Sequence, residues 1–393
     1  MGISRQMQKY LAGGSLIRRL FEEGVAMQND GTGLPVYDFS LGNPMLPPPD
    51  AFEEALAHYV GHRPSSPHGY MANAGLPETR SAVAASLSKD HPVQFEWQHI
   101  LMTVGAAGAV NVALKTLLDA GDEVLVSAPY FVEYGYYVEN HGGRLVKAPT
   151  CEDFNLDVAA IENALSDKTR VVLINNPNNP TGVMYPQETL NALGNVLRKA
   201  SGRYGRPIYL LDDAPYRKLV YDVPVCTSAF AAYENTLMVT SHSKDLSLPG
   251  ERVGFLAVSP RAAAAELILS GCALANRILG FVNAPALMQH VAASLQDVTV
   301  DLAWYRKRRD RLFRALTSYG YRMPYPDGAF YLFVKAPGED DTRFVAHLKK
   351  QRVLTVPGSG FGMPGYFRIA YCVNENTIEG ALQIFKEAIK NIP

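Results

Sequence analysis

One lysine of the chain stands among side chains that are suited to hold a phosphorylated aldehyde. The segment 241–254 places Lys244 after two serines in a Ser-x-Ser-Lys pattern, and Arg252 follows eight residues later. A lysine amine can condense with an aldehyde to form a Schiff base. Serine hydroxyls and a guanidinium are groups that bind a doubly charged phosphate. The segment therefore indicates a site for pyridoxal 5'-phosphate (PLP), although a lone Ser-x-Ser-Lys is more simply a solvated loop.

Polar residues follow several predicted strands at the ends where a ligand would bind. Short apolar runs bounded by turn residues predict strands buried on both faces of a mainly parallel sheet. These runs are residues 123–127, 144–147, 171–174, 208–211, 237–240 and 254–258. Helical patterns at 157–165 and 187–199 indicate βαβ connections. Ligands of open α/β sheets bind beyond the carboxyl ends of the strands, so residues 175–182, residues 213–216 and the lysine segment should share one site.

A turn of small residues offers a further place for the phosphate. Gly105-Ala-Ala-Gly108 precedes a helical pattern at 109–118. Small residues there let an anion approach the backbone N–H groups at a helix N-terminus, where the helix macrodipole also favours negative charge.

Length and patterning predict two domains. The 393 residues are 47% hydrophobic and 19% charged, which suits two globular domains or one large domain with an appendage. After Pro285, one long helical pattern reaches about residue 319. The elements predicted beyond it are strands near 330–334, 353–356 and 367–371 and helices near 342–350 and from Asn374. We predict a large domain over 51–289 and a discontinuous small α+β domain from 1–50 and 290–393.

Composition and missing motifs argue against several other classes. The formal net charge is −1, so no basic field indicates nucleic-acid binding. The four cysteines form no CxxC pair, which predicts neither a zinc site nor a disulfide framework. No signal segment and no apolar run of about 20 residues occurs, so we expect a cytoplasmic protein without membrane contact. His58 and His62 are separated by the helix breaker Gly61, so we expect no metal there, and Gly358–Gly362 reads as a turn.

Taken together, these motifs resemble the class I and II aminotransferases, a family of fold type I PLP enzymes. The motifs are Asn-Pro-Thr-Gly at 179–182, Asp-x-x-Tyr at 213–216 and Ser-x-Ser-Lys-x7-Arg at 241–252. The likeness runs from Ser40-Leu-Gly-Asn-Pro44 to Phe367-Arg-Ile-Ala370. It implies an α/β fold with a mainly parallel seven-stranded sheet, helices on both faces and a smaller α+β domain. It also implies transfer of an amino group from an L-amino acid to a 2-oxo acid.

The resemblance implies catalytic roles for the residues around the lysine. Lys244 carries PLP as a Schiff base and, once freed, moves the proton between the substrate Cα and the aldehyde carbon. Asp213 pairs with the pyridine nitrogen and keeps it protonated. Tyr216 and Asn179 bind the phenolic oxygen. Phe131, rather than the adjacent Tyr130, stacks on the ring.

The resemblance also implies which residues bind the phosphate and the substrate. The phosphate is held by Ser241, Ser243, Arg252 and the backbone of Ala106 and Ala107. Tyr70 reaches the phosphate of a neighbouring subunit, which implies a homodimer with shared sites. Arg368 clamps the substrate α-carboxylate with a two-pronged hydrogen bond. Asn179 also binds the substrate, and Gly42 lets the backbone approach it.

The sequence leaves the alternatives of reaction and substrate open. A PLP-dependent β-eliminating carbon–sulfur lyase would use the same lysine and arginine. A PLP-sensing regulator would need an appended DNA-binding helix-turn-helix, and the short segment before the family region lacks a basic reading helix. Some aspartate-using relatives have a lysine where this chain has Ala107, so a dicarboxylic substrate needs another cation, with Arg18, Arg19 and Arg277 as candidates. The sequence therefore leaves two kinds of amino donor open: a dicarboxylic one, aspartate or glutamate, and a neutral or aromatic one.

Overall fold

The computed structural model describes residues 2–13, 16–62 and 68–391, apart from the side chains of 12–13, 16–19 and 21. The strands in this part of the chain are β1 (Tyr37–Asp38), β2 (Ile100–Thr103), β3 (Glu123–Ala128), β4 (Arg144–Pro149), β5 (Thr169–Asn175), β6 (Tyr209–Asp213), β7 (Thr236–Ser241), β8 (Gly254–Val258), β9 (Tyr331–Lys335), β10 (Val353–Leu354), β11 (Val356–Pro357) and β12 (Tyr366–Ala370).

The α-helices in the same residues are α1 (Arg5–Gly13), α2 (Leu16–Gln28), α3 (Asp50–Gly61), α4 (Pro77–Asp90), α5 (Gly105–Leu117), α6 (Glu133–Asn140), α7 (Val158–Ala164), α8 (Gln187–Tyr204), α9 (Ala229–Ala232), α10 (His242–Asp245), α11 (Ala265–Ile278), α12 (Ala286–Ala293), α13 (Leu302–Tyr319), α14 (Asp341–Lys350) and α15 (Glu375–Ala388). None of these described helices is long and apolar enough to cross a membrane.

A seven-stranded sheet in the order β2-β8-β7-β6-β5-β3-β4 confirms the predicted fold class. The neighbours from β7 to β4 pair in parallel, and β8 is antiparallel to both β7 and β2. In the register of the parallel strands, Asn175 lies opposite Asp213, and Asp213 lies opposite Val239. The carboxyl ends of β5, β6 and β7 therefore meet at one edge of the sheet.

Helices cover both faces of this sheet. On one face, the side chains of Leu211 and Val239 belong to a buried cluster with residues of α5 and α11. On the other face, Leu210 packs in a cluster with Leu193 and Leu197 of α8. Successive residues of a strand point to opposite faces, so a strand between two helical layers must be apolar on both sides. This requirement explains the uninterrupted apolar runs in the sequence.

Local signals set several helix ends. The Asp157 carboxylate caps α7 by accepting the Ala160 N–H at 2.9 Å, and Asn374 caps α15 by accepting the Thr377 N–H at 2.8 Å. Gly205, with a φ of 66°, ends α8 in the left-handed conformation that glycine adopts without strain. Such residues set the starts of α7 and α15 and the end of α8.

The chain forms two compact units. The larger contains Leu46–Trp304 and Pro326–Ala329, and the smaller contains the described residues of Met1–Met45, Tyr305–Tyr325 and Phe330–Pro393. The smaller unit has an antiparallel sheet β11-β12-β9 and a parallel pair of β1 with β10. Compactness does not establish independent folding, so the predicted domain limits at residues 50 and 289 stay a prediction.

The single long helix predicted after Pro285 is wrong. The structure has α12 and α13 instead, separated by residues 294–301. The backbone of this segment bonds elsewhere, because Lys218 donates to the carbonyls of Gln296 and Val298 and the Val300 N–H donates to Asp245 O at 2.8 Å. These tertiary bonds override a sequence that contains no glycine or proline at this point.

Candidate active site

Lys244 lies in the one-turn helix α10, directly after β7, and its side chain is half-buried. A buried network holds this turn from behind. His242 Nδ1 is 3.1 Å from Asp245 Oδ2, and Lys218 Nζ is 3.6 Å from the same oxygen. Although burial opposes its charge, His242 and Lys218 hold the pKa of Asp245 below its ordinary value. The network therefore fixes the backbone that carries the lysine, and the sequence reasoning did not find it.

Asp213 ends β6 as a buried carboxyl group with one oxygen satisfied and one not. Tyr134 donates its hydroxyl hydrogen to Asp213 Oδ2 at 2.5 Å. Asp213 Oδ1 has no hydrogen-bond partner among the described residues. Burial raises the pKa of Asp213 to about 6, and the Tyr134 hydrogen bond opposes that rise. A buried acceptor without a donor is rare in proteins, and the protonated pyridine nitrogen of PLP is a donor that fits it.

Tyr134 is a site residue that the sequence reasoning missed. It lies in the first turn of α6, and burial raises the pKa of its hydroxyl well above the ordinary value, so it stays a donor. The Phe131 ring lies edge-on to Tyr134, with 5.5 Å between the ring centroids, and is half-buried. The neighbouring Tyr130 ring is buried and has Lys147 Nζ 5.4 Å from its centroid. Phe131, not Tyr130, is thus the aromatic next to the partner of Asp213.

Asn179 and Tyr216 are buried on the segments that follow two neighbouring strands. The Asn175 side chain joins these segments. Its Oδ1 accepts the Asn179 N–H at 2.6 Å, and its Nδ2 donates to the Asp213 carbonyl at 2.7 Å. The end of β5 is thereby tied to the end of β6, which places both predicted residues at the edge where Asp213 lies.

The N-terminus of α5 forms the cradle predicted for a phosphate. The helix begins at Gly105 rather than at Ala109, so Ala106 and Ala107 lie in its first turn. Val104 provides no side-chain cap, which leaves the first N–H groups to a ligand. Arg252 donates to Val104 O at 3.3 Å, and a Cβ atom on Gly105 would lie 2.7 Å from its Nη2. Glycine, at a φ of 78°, therefore lets the guanidinium lie over the helix end.

Two buried serines complete the polar groups at this edge. Ser241 ends β7, and Ser243 lies in α10 one residue before the lysine. Ser241 lies opposite Gly254 in the β7–β8 pairing, and Thr103 pairs with the same glycine from β2. The serines and the cradle of α5 thus lie at one edge of the sheet, as a dianion site requires.

The smaller unit holds Arg368 in a fixed position on β12. The residue is 2% exposed, and its Nη2 donates to Ser40 O at 2.5 Å. The guanidinium carbon lies 4.6 Å from the Tyr331 ring centre and 4.8 Å from that of Phe361. A Cβ atom on Gly42 would overlap the Tyr331 hydroxyl, so only glycine fits there. Phe361 belongs to the Gly358–Gly362 segment, for which the sequence indicates a turn near the active site. The structure has a 3-10 helix at Gly358–Phe361.

The remaining candidates are Tyr70 and the arginines considered for a second substrate carboxylate. Tyr70 is 96% exposed in the single chain. Arg277, in the last turn of α11, is exposed. The side chains of Arg18 and Arg19 lie outside the described residues.

Comparison with known proteins identifies the family. The model of the family "Aminotransferase class I and II" matches residues 30–385. A probable aspartate/prephenate aminotransferase of Thermus aquaticus is 30% identical over 367 residues, which are 91% of this chain and 92% of that protein. The chain is also 28% identical over 394 residues to an aspartate aminotransferase of Pyrococcus horikoshii, covering 96% of this chain and 95% of that one.

Solved structures agree with the sequence relatives. An amino transferase from Eubacterium rectale has a TM-score of 0.95 at 39% identity, over 100% of this chain and 99% of that one. The aspartate aminotransferase of Thermus thermophilus with maleate has a TM-score of 0.86 at 26% identity, over 99% of this chain and 100% of that one. The chain belongs to the class I and II aminotransferase family and is an enzyme that transfers amino groups. These findings do not favour the carbon–sulfur lyase.

Proposed function

We propose that the chain binds PLP on Lys244 and uses it to move an amino group from an L-amino acid to a 2-oxo acid. The observation that carries this proposal is the buried Oδ1 of Asp213, which has no partner among the described residues and lies at the same sheet edge as the lysine turn. PLP, when bound, supplies an aldehyde that condenses with amines and a ring that takes up the electron pair left at Cα.

The residues of the larger unit then have distinct tasks. Lys244, once its amine is free, would take the proton from the substrate Cα and deliver it to the aldehyde carbon of the cofactor. Asp213 accepts the pyridine N–H, and this cationic donor offsets the burial that otherwise raises the pKa of the carboxyl group. Tyr216 and Asn179 bind the phenolic oxygen. Phe131 covers the ring face.

The phosphate would be held at the N-terminus of α5. Arg252, Ser241 and Ser243 supply side-chain donors, and Ala106 and Ala107 supply backbone N–H groups. Each donor lies at the sheet edge described above, and the helix macrodipole adds attraction for the dianion.

Arg368 would bind the α-carboxylate of the substrate. The rings of Tyr331 and Phe361 and the bond to Ser40 O restrict the guanidinium before any substrate arrives. A restricted guanidinium loses little conformational freedom on binding, and its paired donors match the two carboxylate oxygens.

We propose aspartate as the amino donor, because the relatives are named as aspartate or aspartate/prephenate aminotransferases. Ala107 in the turn of small residues supplies no cation for a second carboxylate, so another residue must do so. Leaving that carboxylate unpaired in a partly dry pocket would cost a few kcal/mol, or about a 100-fold preference for other donors. A panel of donors decides: a kcat/KM for aspartate below those of alanine and phenylalanine contradicts this choice.

A homodimer with shared sites also belongs to the proposal. Tyr70 is almost fully exposed in the single chain, as a residue that completes a neighbour's phosphate site should be. Burial of an aromatic ring of this size at a subunit interface would stabilise the dimer.

The activity is tested with single amino acids and 2-oxoglutarate. The proposal predicts glutamate as the product, and essentially no turnover for Lys244→Ala. Lys199→Ala, which removes an exposed lysine of α8, is the matched control and should retain activity. Pyruvate and ammonia without glutamate would show that the chain is a lyase instead.

A further inference from the structure

A cavity of about 260 Å³ lies in the larger unit beside Asp212, the residue next to Asp213 in β6. Successive side chains of a strand point to opposite faces, so Asp212 points away from the face that Asp213 serves. The cavity is therefore separate from the Lys244 site, and the proposed mechanism does not use it. Arg217, Cys226 and Gln296 also line it.

Three buried polar groups that line the cavity lack partners within the described ranges of the chain. Asp212 Oδ1, His91 Nε2 and Gln296 Oε1 make no hydrogen bond in the described part of the chain. The residues are only 2%, 7% and 6% exposed, respectively. The Gln296 amide is fixed because its Nε2 donates to Ala292 O at 2.8 Å. Most buried polar groups in proteins are satisfied, so three orphans around one cavity indicate a missing occupant.

The chemistry of the lining defines that occupant. Asp212 Oδ1 and Gln296 Oε1 are acceptors and need a donor. Burial, followed by the charge of Asp213, raises the pKa of Asp212 well above its ordinary value, and an adjacent cation would stabilise the ionised form. Arg217 Nη1 donates to Asp90 at 2.6 Å, and its five-donor guanidinium can also bind a carboxylate. The lining thus offers acceptors and a carboxylate for an ammonium group, and a guanidinium for an anion.

We propose that this cavity binds a small amino acid as a zwitterion, with its ammonium group on Asp212 and Gln296 and its carboxylate on Arg217. The volume is near the lower end for ligand pockets, about 300 Å³, so the ligand is small. The proposed site does not depend on the proposed function, because Asp212, Gln296 and Arg217 have no role in binding PLP or the substrate α-carboxylate there.

Equilibrium dialysis of radiolabelled glycine against the holoenzyme tests the site. An Arg368→Ala background removes binding through the α-carboxylate clamp. We expect one saturable glycine site per chain, with methylammonium and acetate, which each carry one end of glycine, binding at least 10-fold more weakly. Asp212→Asn, which keeps the size of the side chain, should weaken glycine at least 10-fold. Asp297→Asn, at an exposed carboxylate that also lines the cavity, should not.

Cys226→Leu provides a second variant that fills the cavity without removing a charged group, and it should abolish glycine binding. Thermal unfolding shows whether each variant is folded. Equal glycine affinity in Asp212→Asn and the parent would overturn the proposal, and so would the absence of a saturable site, which would mean that water alone fills the cavity. Absence of transaminase activity in the parent enzyme, with glycine binding still present, would refute the proposed function and leave the proposal of this glycine site standing.

Discussion

Removing the Tyr134 hydroxyl tests the environment of Asp213 most sharply. Tyr134→Phe keeps the ring and deletes the 2.5 Å hydrogen bond to a carboxyl group that has no other partner among the described residues. A hydrogen bond to a charged group contributes about 1.5–3 kcal/mol. At 1.36 kcal/mol per pKa unit, the pKa of Asp213 in the protein without PLP should rise by a further ~1–2 units.

The effect on stability has a defined sign. The folded-state pKa of Asp213, about 6, is above the ordinary value of 3.8, so the folded state holds the proton more tightly. Stability from this group is therefore present at low pH and is lost as the pH rises from about 4 to about 6. In Tyr134→Phe the loss continues to higher pH, because the carboxylate form has lost its donor.

Urea unfolding of the PLP-free protein between pH 5 and pH 9 measures the difference. The gap in unfolding free energy between Tyr134→Phe and the parent should be smallest at pH 5, then widen by about 1.5–3 kcal/mol and level off above pH 8. Tyr204→Phe is the matched control, since this half-buried tyrosine donates to a backbone carbonyl, and its gap should not change with pH. A constant gap for Tyr134→Phe would refute the reasoning.

Three further substitutions test other parts of the site. Arg368→Lys should lower kcat/KM for amino donors about 10- to 100-fold, because one ammonium cannot reproduce the paired donors; steady-state kinetics would show this, and an unchanged value would remove Arg368 from the clamp. Gly105→Ala should weaken PLP binding, since its Cβ meets Arg252 and its φ is positive, and unaltered affinity in a PLP titration would contradict the cradle. Inactive Lys244→Ala and Tyr70→Ala chains refolded together should regain up to about a quarter of the activity, whereas a fully active monomer by sedimentation would exclude shared sites.

The sequence predicted the fold where its signals are local. Apolar runs placed the parallel strands, and Asp157 and Asn374 marked helix starts because a capping side chain acts within one turn. The split between α12 and α13 could not be predicted, because it depends on a hydrogen bond donated by Lys218 and on one accepted by Asp245 O, and both residues are distant in sequence. The short strand β2 was also missed, since its four residues give too brief a pattern.

Some residues of the candidate site could likewise be predicted from local motifs, whereas others are visible only in the folded structure. Lys244, Asp213 and Asn179 lie in motifs with fixed spacing, so the sequence could indicate them. Tyr134 carries no motif, and its role is visible only because α6 brings its hydroxyl to Asp213. The sequence offered no sign of a second site at Asp212, because Asp213 beside it already accounted for a carboxylate at the end of β6. Only the folded sheet shows that the two side chains point to opposite faces.

Reductive trapping with borohydride decides whether Lys244 carries PLP. The holoenzyme would be treated with tritiated borohydride, which fixes a Schiff base as a stable secondary amine, then digested, and the labelled peptide sequenced. We expect one labelled lysine, Lys244, and no label in Lys244→Ala. A label on another lysine, or trapping that persists in Lys244→Ala, would contradict it.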